Sequence, residues 1–295
     1  MTLPKKHFIP LESDPTIFTH LAHHLGLSPR LAFIDVLSLS EPSLLALVPR
    51  PALALILTFP ASKDYDARLA AEDADKREYE GYGEGEDVLW FRQTIGNACG
   101  LYGLLHAVGN VGGGGWVGEF GFNIFTLTAC FVEGEEVRVV RTVGLMMYEL
   151  TKNVVIFLRL GSALLRLMLA PLVCSALIRT CIPLPPAQRS QALEASQELE
   201  QAHREAAVMG QSAVPEDAEE EVDFHYLCFA KSSKSGRLYE LDGDRKGPIH
   251  RGIIPDGQDL LDEYTLRVVR EKFLSKKGEE ELGFNLMALV DMGSA

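Results

Sequence analysis

Apolar residues along this chain follow two spacings, and the switches between them mark its elements. Ser13-Asp14-Pro15 opens a helical pattern that runs through Leu25 and stops at Gly26. Ala32 to Leu37 reads as a strand, and Ser40-Glu41-Pro42 starts a short helix that ends before Pro49. Ala52 to Phe59 is an unbroken apolar run of strand length, which predicts a central strand covered on both faces. Residues 62–87 are charged and predict a surface helix and loop, with Gly81, Gly83 and Gly85 as breakers. Val88 to Gln93 is apolar and extended and predicts a further strand. Leu101, Leu104, Leu105 and Val108 then return to helical spacing.

The second half is less even. Gly112 to Gly115 open an apolar stretch that continues to about Ile182, where Pro183, Pro185 and Pro186 break it. Residues 187–208, rich in Ala, Gln and Glu, predict a polar helix, and an acidic run follows from Glu216 to Asp223. From there the pattern turns to β. Phe224 to Ala230 and Arg237 to Leu241 read as a hairpin around Ser232–Gly236, Leu260 to Leu274 as an amphipathic helix, and Phe284 to Val290 as a last strand. Mixed α and β, with strands concentrated after residue 222, is what the pattern itself supports.

Against this layout Cys99 stands out. Gly96 supplies a turn and Asn97 a helix N-cap, which puts Cys99 in the first turn of the helix that follows. Unpaired N–H groups and the positive end of the helix dipole favour a thiolate there. A nucleophilic cysteine needs a base within hydrogen-bond reach and a third group to orient that base. His106 is nearest in sequence, but seven residues of helix separate it by about 10 Å of rise, and it reads as a packed helix histidine. His20, His23 and His24 share a helix face, yet no local Cys, Asp or Glu joins them to make a metal site. His7, His203 and His250 fall in loop-like or polar settings. His225 lies on the strand that opens the hairpin, and Asp242 ends the next strand, where its carboxylate can reach back to the imidazole. Taken alone, that pair is equally a surface histidine and a turn aspartate.

Composition narrows the alternatives. The 295 residues are 47% hydrophobic, enough for a sizeable core. A net charge of −13, with no Lys/Arg-rich block, argues against nucleic acid as a partner. Five cysteines at irregular spacings give neither a disulfide framework nor a zinc site, and no cofactor is indicated. Met1 to Pro10 has no signal-peptide core, so a reducing compartment is expected, the cytoplasm or also the nucleus. Lys152, Arg159, Arg166 and Arg179 interrupt the apolar stretch, and its longest uncharged run, Leu167 to Ile178, is short of the roughly 18–20 residues of a membrane span.

Four segments together resemble the ubiquitin carboxyl-terminal hydrolases, a papain-like group of cysteine peptidases. They are Gln93-Thr-Ile-Gly-Asn-Ala-Cys99-Gly, Val222-Asp-Phe-His225, Leu238-Tyr-Glu-Leu-Asp242-Gly, and Phe8-Ile-Pro-Leu-Glu-Ser-Asp-Pro15. Leu47-Val-Pro-Arg-Pro51 and Phe284-Asn-Leu-Met-Ala-Leu289 match as well, so the likeness covers roughly 1–110 and 187–291. It implies Cys99 as nucleophile, His225 as general base, Asp242 as orienting carboxylate and Gln93 as an oxyanion-hole donor beside the Cys99 N–H. It implies one α+β domain over residues 1–295, of the short type with no added C-terminal domain. The expected architecture is α/β/α, a mainly antiparallel sheet between helical layers on a knotted backbone path. It implies a monomer acting on ubiquitin, with a preference for small adducts because the substrate must pass a crossover loop above the site. The acidic 84–87 and 216–223 stretches could steer the arginine-bearing ubiquitin tail.

The pattern lapses over residues 111–160, and Leu169 to Thr180 is also unlike the family. The tetraglycine run and the abrupt change of composition fit translated intron sequence better than a lineage-specific insertion. Such an insertion would leave two other readings: a ubiquitin-binding module whose Cys99 and His225 are kept apart, or a hydrolase tethered through an apolar patch at 143–178. If the segment is intronic, a proteome digest should contain peptides from both flanks but none from residues 120–158; recovery of such peptides would establish the insertion as real.

Overall fold

The computed structural model of the chain describes residues 5–61, 63–111, 127–133, 136–142, 177–211, 224–274 and 283–294. Its elements are helix α1 (Pro15–His24), strand β1 (Leu31–Asp35), α2 (Pro42–Leu45), β2 (Ala52–Pro60), α3 (Lys63–Asp73) and α4 (Cys99–Asn110). A hairpin of β3 (Leu127–Glu133) and β4 (Glu136–Thr142) follows, then α5 (Pro186–Ala195) and α6 (Gln197–Ala207). The chain closes with β5 (Phe224–Lys231), β6 (Arg237–Leu241), β7 (Ile249–Ile253), α7 (Glu263–Val269) and β8 (Asn285–Asp291).

Six strands form one sheet in the order β1-β8-β2-β5-β6-β7, every pairing antiparallel. The unbroken apolar run of β2 lies inside this sheet, between β8 and β5, where both its faces need cover. Alternate side chains take opposite faces. Ala54 and Ile56 meet a core built with α1, α4 and α6, whereas Leu55, Leu57 and Phe59 meet one built with Tyr65 of α3 and Leu266 and Val269 of α7. The result is the expected α/β/α layering. The threading that would make a knot depends on chain segments outside the described residues, as does most of the 111–160 departure.

Local signals account for the helix ends. Asp14 Oδ1 accepts the Thr16 N–H at 2.6 Å, and Pro15 occupies the first helical position of α1. Ser196 Oγ accepts the Leu199 N–H at 3.1 Å and starts α6. That cap explains why the polar stretch 187–208 is two helices rather than the single one its propensity predicts: a serine cap competes with continuation. The helix expected over 260–274 is α7 followed by one π-type turn, Arg270–Leu274. β7 and the β3–β4 hairpin were not visible in the pattern; β7 reads Ile-His-Arg-Gly-Ile, too polar and glycine-interrupted to announce a strand.

A larger correction concerns Val88–Gln93. This segment is buried through Phe91 but joins no sheet. Side chains replace the ladder. Asn110 accepts the Leu89 N–H and donates to the Leu89 carbonyl, both at 2.8 Å. The Phe91 N–H donates to His106 Nε2 at 3.0 Å. Arg189 Nη1 donates to the Trp90 carbonyl, and Ser190 Oγ to that of Arg92, each at 2.9 Å. The Gln93 N–H donates to the Gly243 carbonyl at 2.8 Å. Every buried polar backbone group must find a partner, and the pattern of apolar residues cannot say whether that partner is a strand.

Arg189 also ties this segment to the chain on either side of it. Fully buried, it forks onto both carboxylate oxygens of Glu86 and also donates to the Cys181 and Ile182 carbonyls at 2.9 and 3.0 Å. Removing one partner of such a pair strands the other charge, which costs about 3–5 kcal/mol. Glu86→Ala should therefore lower the unfolding free energy by that amount, read as an earlier urea midpoint, while Glu78→Ala, whose partner Arg92 is exposed, should cost about 0–1 kcal/mol.

Candidate active site

Cys99 is the first residue of α4. The turn before it is tight: Gly96 accepts the Phe8 N–H at 2.9 Å and donates to the Lys6 carbonyl at 2.8 Å. A Cβ on Gly96 would lie 2.0 Å from the His7 ring. Asn97 then takes a left-handed backbone, φ 57°. Asn97 is thus not the N-cap; that position is Ala98, and no side chain caps the helix. The expected place of Cys99 in the first turn holds, and helix geometry leaves its N–H without an intrahelical acceptor. α4 is buried from Cys99 through Val108 and packs on β5 and β2. Leu101, Leu104, Leu105 and Val108 are all buried, each contributing about 1.5–3 kcal/mol, so the helix start has little freedom to move.

His225 comes from the other side of the sheet. It follows exposed Phe224 at the start of β5, pairs across to Phe59, and rests edge-on against that ring with centroids 5.7 Å apart. Cys99 Sγ lies 4.0 Å from the Phe224 carbonyl, at the point where β5 begins. Because β6 pairs Leu241 with Cys228, the chain beyond Leu241 runs back beside His225. Asp242 Oδ2 lies 3.0 Å from His225 Nε2. Burial by itself would lower the imidazole's proton affinity, but the Asp242 charge, its contact with the ring and the neighbouring Cys99 thiol outweigh this and hold it well above the usual 6.5. Asp242 is pulled the other way: burial would raise it, and the imidazolium with its bonded donors keeps it below the ordinary carboxylate range.

Gln93 is fixed by the loop that carries Asp242. Beyond the bond between the Gln93 N–H and the Gly243 carbonyl, a Cβ on Gly243 would lie 2.8 Å from Gln93 Cβ, so only glycine permits this approach. Gln93, Asn97, Cys99, Phe224, His225 and Asp244 line one cleft of about 260 Å³, whose far wall is α3 with Tyr65, Asp66 and Leu69. A larger groove between α1 and β1 contains none of these groups.

All four residues singled out by sequence, Gln93, Cys99, His225 and Asp242, thus meet around one site. The other histidines do not. His106 is buried on α4 against Phe91, and burial holds it neutral with a midpoint down at about 4. His203, read as a polar-setting residue, is buried on α6; it donates to the Ile9 carbonyl at 2.7 Å and is likewise held down at about 4 by burial. His23 Nε2 contacts the Leu31 carbonyl at 2.8 Å. The steering role expected of the acidic 84–87 loop is not available to its last two residues: Glu86 is buried under Arg189, and Asp87 accepts bonds from Ser232, Ser235 and Tyr239. The 216–223 run lies outside the described residues.

Sequence reasoning missed three supporting groups. Tyr65 donates its hydroxyl to Asp242 Oδ2 at 2.9 Å, and the Trp90 indole N–H donates to the Asp242 carbonyl at 3.0 Å. Asp244 places Oδ2 3.9 Å from His225 Nδ1. The apolar i,i+4 pair Tyr65 and Leu69, on an otherwise charged helix, was the one available signal. His225, Asp242 and Asp244 could jointly hold a cation, but only through the ring and carboxylate atoms on which the pair itself depends. A thiol at a helix start, an imidazolium paired to a buried carboxylate and an amide at the cleft wall form the equipment of acyl transfer through a covalent thioester.

Comparison with known proteins agrees with this chemistry. Residues 8–119 and 172–274 match the family described as ubiquitin carboxyl-terminal hydrolase, family 1, with the match interrupted between the two blocks. The chain is 28% identical over 284 residues to ubiquitin carboxyl-terminal hydrolase 3 of Arabidopsis thaliana, covering 96% of this chain and 94% of that one. It is 41% identical over 102 residues to the YUH1 hydrolase of Saccharomyces cerevisiae, covering 35% and 39%. Its fold is similar to the UCH37 catalytic domain of Trichinella spiralis solved with ubiquitin vinyl methyl ester, with a TM-score of 0.58, 21% identity and 96% and 95% coverage. That likeness bears out the papain-like α+β fold.

The electrostatics fix the sign of a pH effect. With its folded value raised, His225 contributes stability that is fully present below its unfolded value near 6.5 and is lost as pH rises through the folded value. Asp242→Asn removes the main opposing charge, so a histidine NMR titration should find the His225 midpoint at or below 6.5. The stability gap between wild type and variant should narrow as pH rises through the wild-type midpoint.

Proposed function

The chain belongs to the ubiquitin carboxyl-terminal hydrolase family and is a cysteine-type hydrolase acting on ubiquitin, and from that premise we propose the task of each side chain in its cleft. Cys99, as thiolate, attacks the carbonyl of the terminal glycine of ubiquitin. Negative charge develops on that carbonyl oxygen, and the Gln93 amide with the Cys99 N–H stabilises it. His225, carried as imidazolium, protonates the departing amine, alcohol or thiol; the neutral ring then takes a proton from water, which hydrolyses the thioester and frees ubiquitin. Asp242 keeps Nε2 engaged and the ring oriented.

The observation that carries this reading is the 3.0 Å contact of His225 with a fully buried carboxylate, next to the thiol at the start of α4. A base held this way has Nε2 against the Asp242 carboxylate and offers Nδ1, 3.9 Å from Asp244 Oδ2, for chemistry. A cleft of about 260 Å³ suits a glycine terminus without side chains, and small leaving groups over folded ones. Cys99, Cys181 and Cys228 are all free, which suits a reducing cytoplasmic or nuclear setting in which the nucleophile stays a thiol.

Ubiquitin bearing a C-terminal electrophile should form a covalent adduct with wild-type protein and none with Cys99→Ala, as read by intact mass. Binding without an adduct in wild type would instead make the chain a ubiquitin-binding module. Gln93→Ala should retain adduct formation but lower kcat by roughly 10²–10³-fold on a ubiquitin ester, the effect of losing one oxyanion donor.

A further inference from the structure

The carboxylate that meets His225 has another side-chain partner, to which the chemistry above gives no task. Tyr65 sits in the first turns of α3, buried, with its ring 4.7 Å from Phe59 and 5.8 Å from His225 between centroids. Its hydroxyl donates at 2.9 Å to Asp242 Oδ2, the same oxygen that His225 Nε2 meets at 3.0 Å. The other oxygen, Oδ1, accepts the Asp244 N–H at 2.9 Å. The terminal torsion of an aspartate is broad and has no sharp well of its own. A donor on each oxygen therefore decides where the carboxylate plane points.

α3 is also fastened to the Asp242 loop at its far end. Arg245 reaches Glu72 Oε2 at 3.0 Å and Asp73 Oδ1 at 2.6 Å, and the Lys246 N–H donates to Asp73 Oδ2 at 3.2 Å. One helix is thus bound at both ends to the stretch 242–246, and Tyr65 is the only one of these attachments that touches Asp242 itself.

We propose that Tyr65 is a positioning residue for the thiol chemistry: from α3 it holds Asp242 Oδ2 toward His225 and so keeps the imidazole facing Cys99. The inference rests on the Cys99–His225 assignment made above. Tyr65 keeps its proton and can donate it to Asp242, since burial and the Asp242 charge push its phenol far above the usual range. The titratable and charged groups facing His225 are Cys99 from α4, Tyr65 from α3, and Asp242 and Asp244 from the loop after β6; β2 presents Phe59. Glu240 and Arg245 act on the Tyr65 hydroxyl, Arg68 lies 5.1 Å over its ring, and Asp66 and Lys5 act on Asp244.

Tyr65→Phe keeps the ring and removes the donor. Alkylation of Cys99 by iodoacetamide at about pH 6, below the range of an unassisted thiol, reads the thiolate supported by the imidazolium without any ubiquitin. The expected result is alkylation slowed roughly 3–10-fold, and kcat on a ubiquitin ester lowered to the same degree per titrated active site, the size of one lost hydrogen bond. KM should stay near wild type, the thermal midpoint should fall by only a few degrees so that both proteins are fully folded at the assay temperature, and the alkaline limb of the activity profile should move to lower pH. Alkylation and kcat equal to wild type, or losses that only follow the fraction unfolded, would overturn the role. A His225→Ala control locates the failure. If it slows alkylation while Tyr65→Phe does not, only the role of Tyr65 falls; if it alkylates like wild type, the Cys99–His225 assignment falls and the positioning role with it.

Discussion

The central constraint on this molecule is that its thiol and its imidazole arise on opposite faces of one sheet. α4 packs on the side of Ala54 and Ile56, while His225 shares the other side with Phe59 and Tyr65. A sheet is a barrier to side chains along its length. Contact is open only past the ends of strands, and both groups are placed there: Cys99 at the first residue of its helix, His225 at the second residue of β5. A shift of one residue in the β2–β5 register would turn His225 toward the α4 side and bring Tyr226 into its place. The extensive burial of β2, β5 and β8 is therefore what holds the chemistry in place.

Asp242 is where separate parts of the chain converge. Its carboxylate meets His225 and Tyr65, its Oδ1 accepts the next turn's N–H, and its carbonyl accepts the Trp90 indole. A charge this deep is tolerable only when every lone pair finds a donor. The same loop, through Gly243, sets Gln93. One short turn after β6 thus fixes both the carboxylate that meets His225 and the backbone of Gln93 at the cleft wall.

The segment Val88–Gln93 shows a different economy. It carries Gln93 to the cleft with no strand partner, its backbone bonded by Asn110, His106, Arg189 and Ser190 from two helices. His106 can accept from Phe91 because burial keeps it neutral. Arg189 reaches the segment from α5, which lies beyond the stretch where the family pattern lapses. The structure on the far side of that stretch is therefore bonded directly to the residues beside the site.

Local chemistry settled much of this in the sequence. Asp14-Pro15 caps α1, the run 52–59 is a central strand, the 224–241 hairpin forms, and Cys99 begins a helix; each depends on neighbours within a few residues. That Gln93, Cys99, His225 and Asp242 would come together was legible because the resemblance joined signals that were individually weak. What the sequence could not specify were relations across long separations. An extended apolar run reads the same whether its N–H groups meet a strand or an asparagine 21 residues on, as Leu89 meets Asn110. Tyr65, on a charged helix, becomes a partner of Asp242 only when α3 folds over the sheet, 177 residues away in sequence. Glu86 and Asp87 looked like free charge until Arg189 and three hydroxyls took them. Hydrophobic periodicity records which face of an element is buried; only the assembled layers determine which polar groups share that interior.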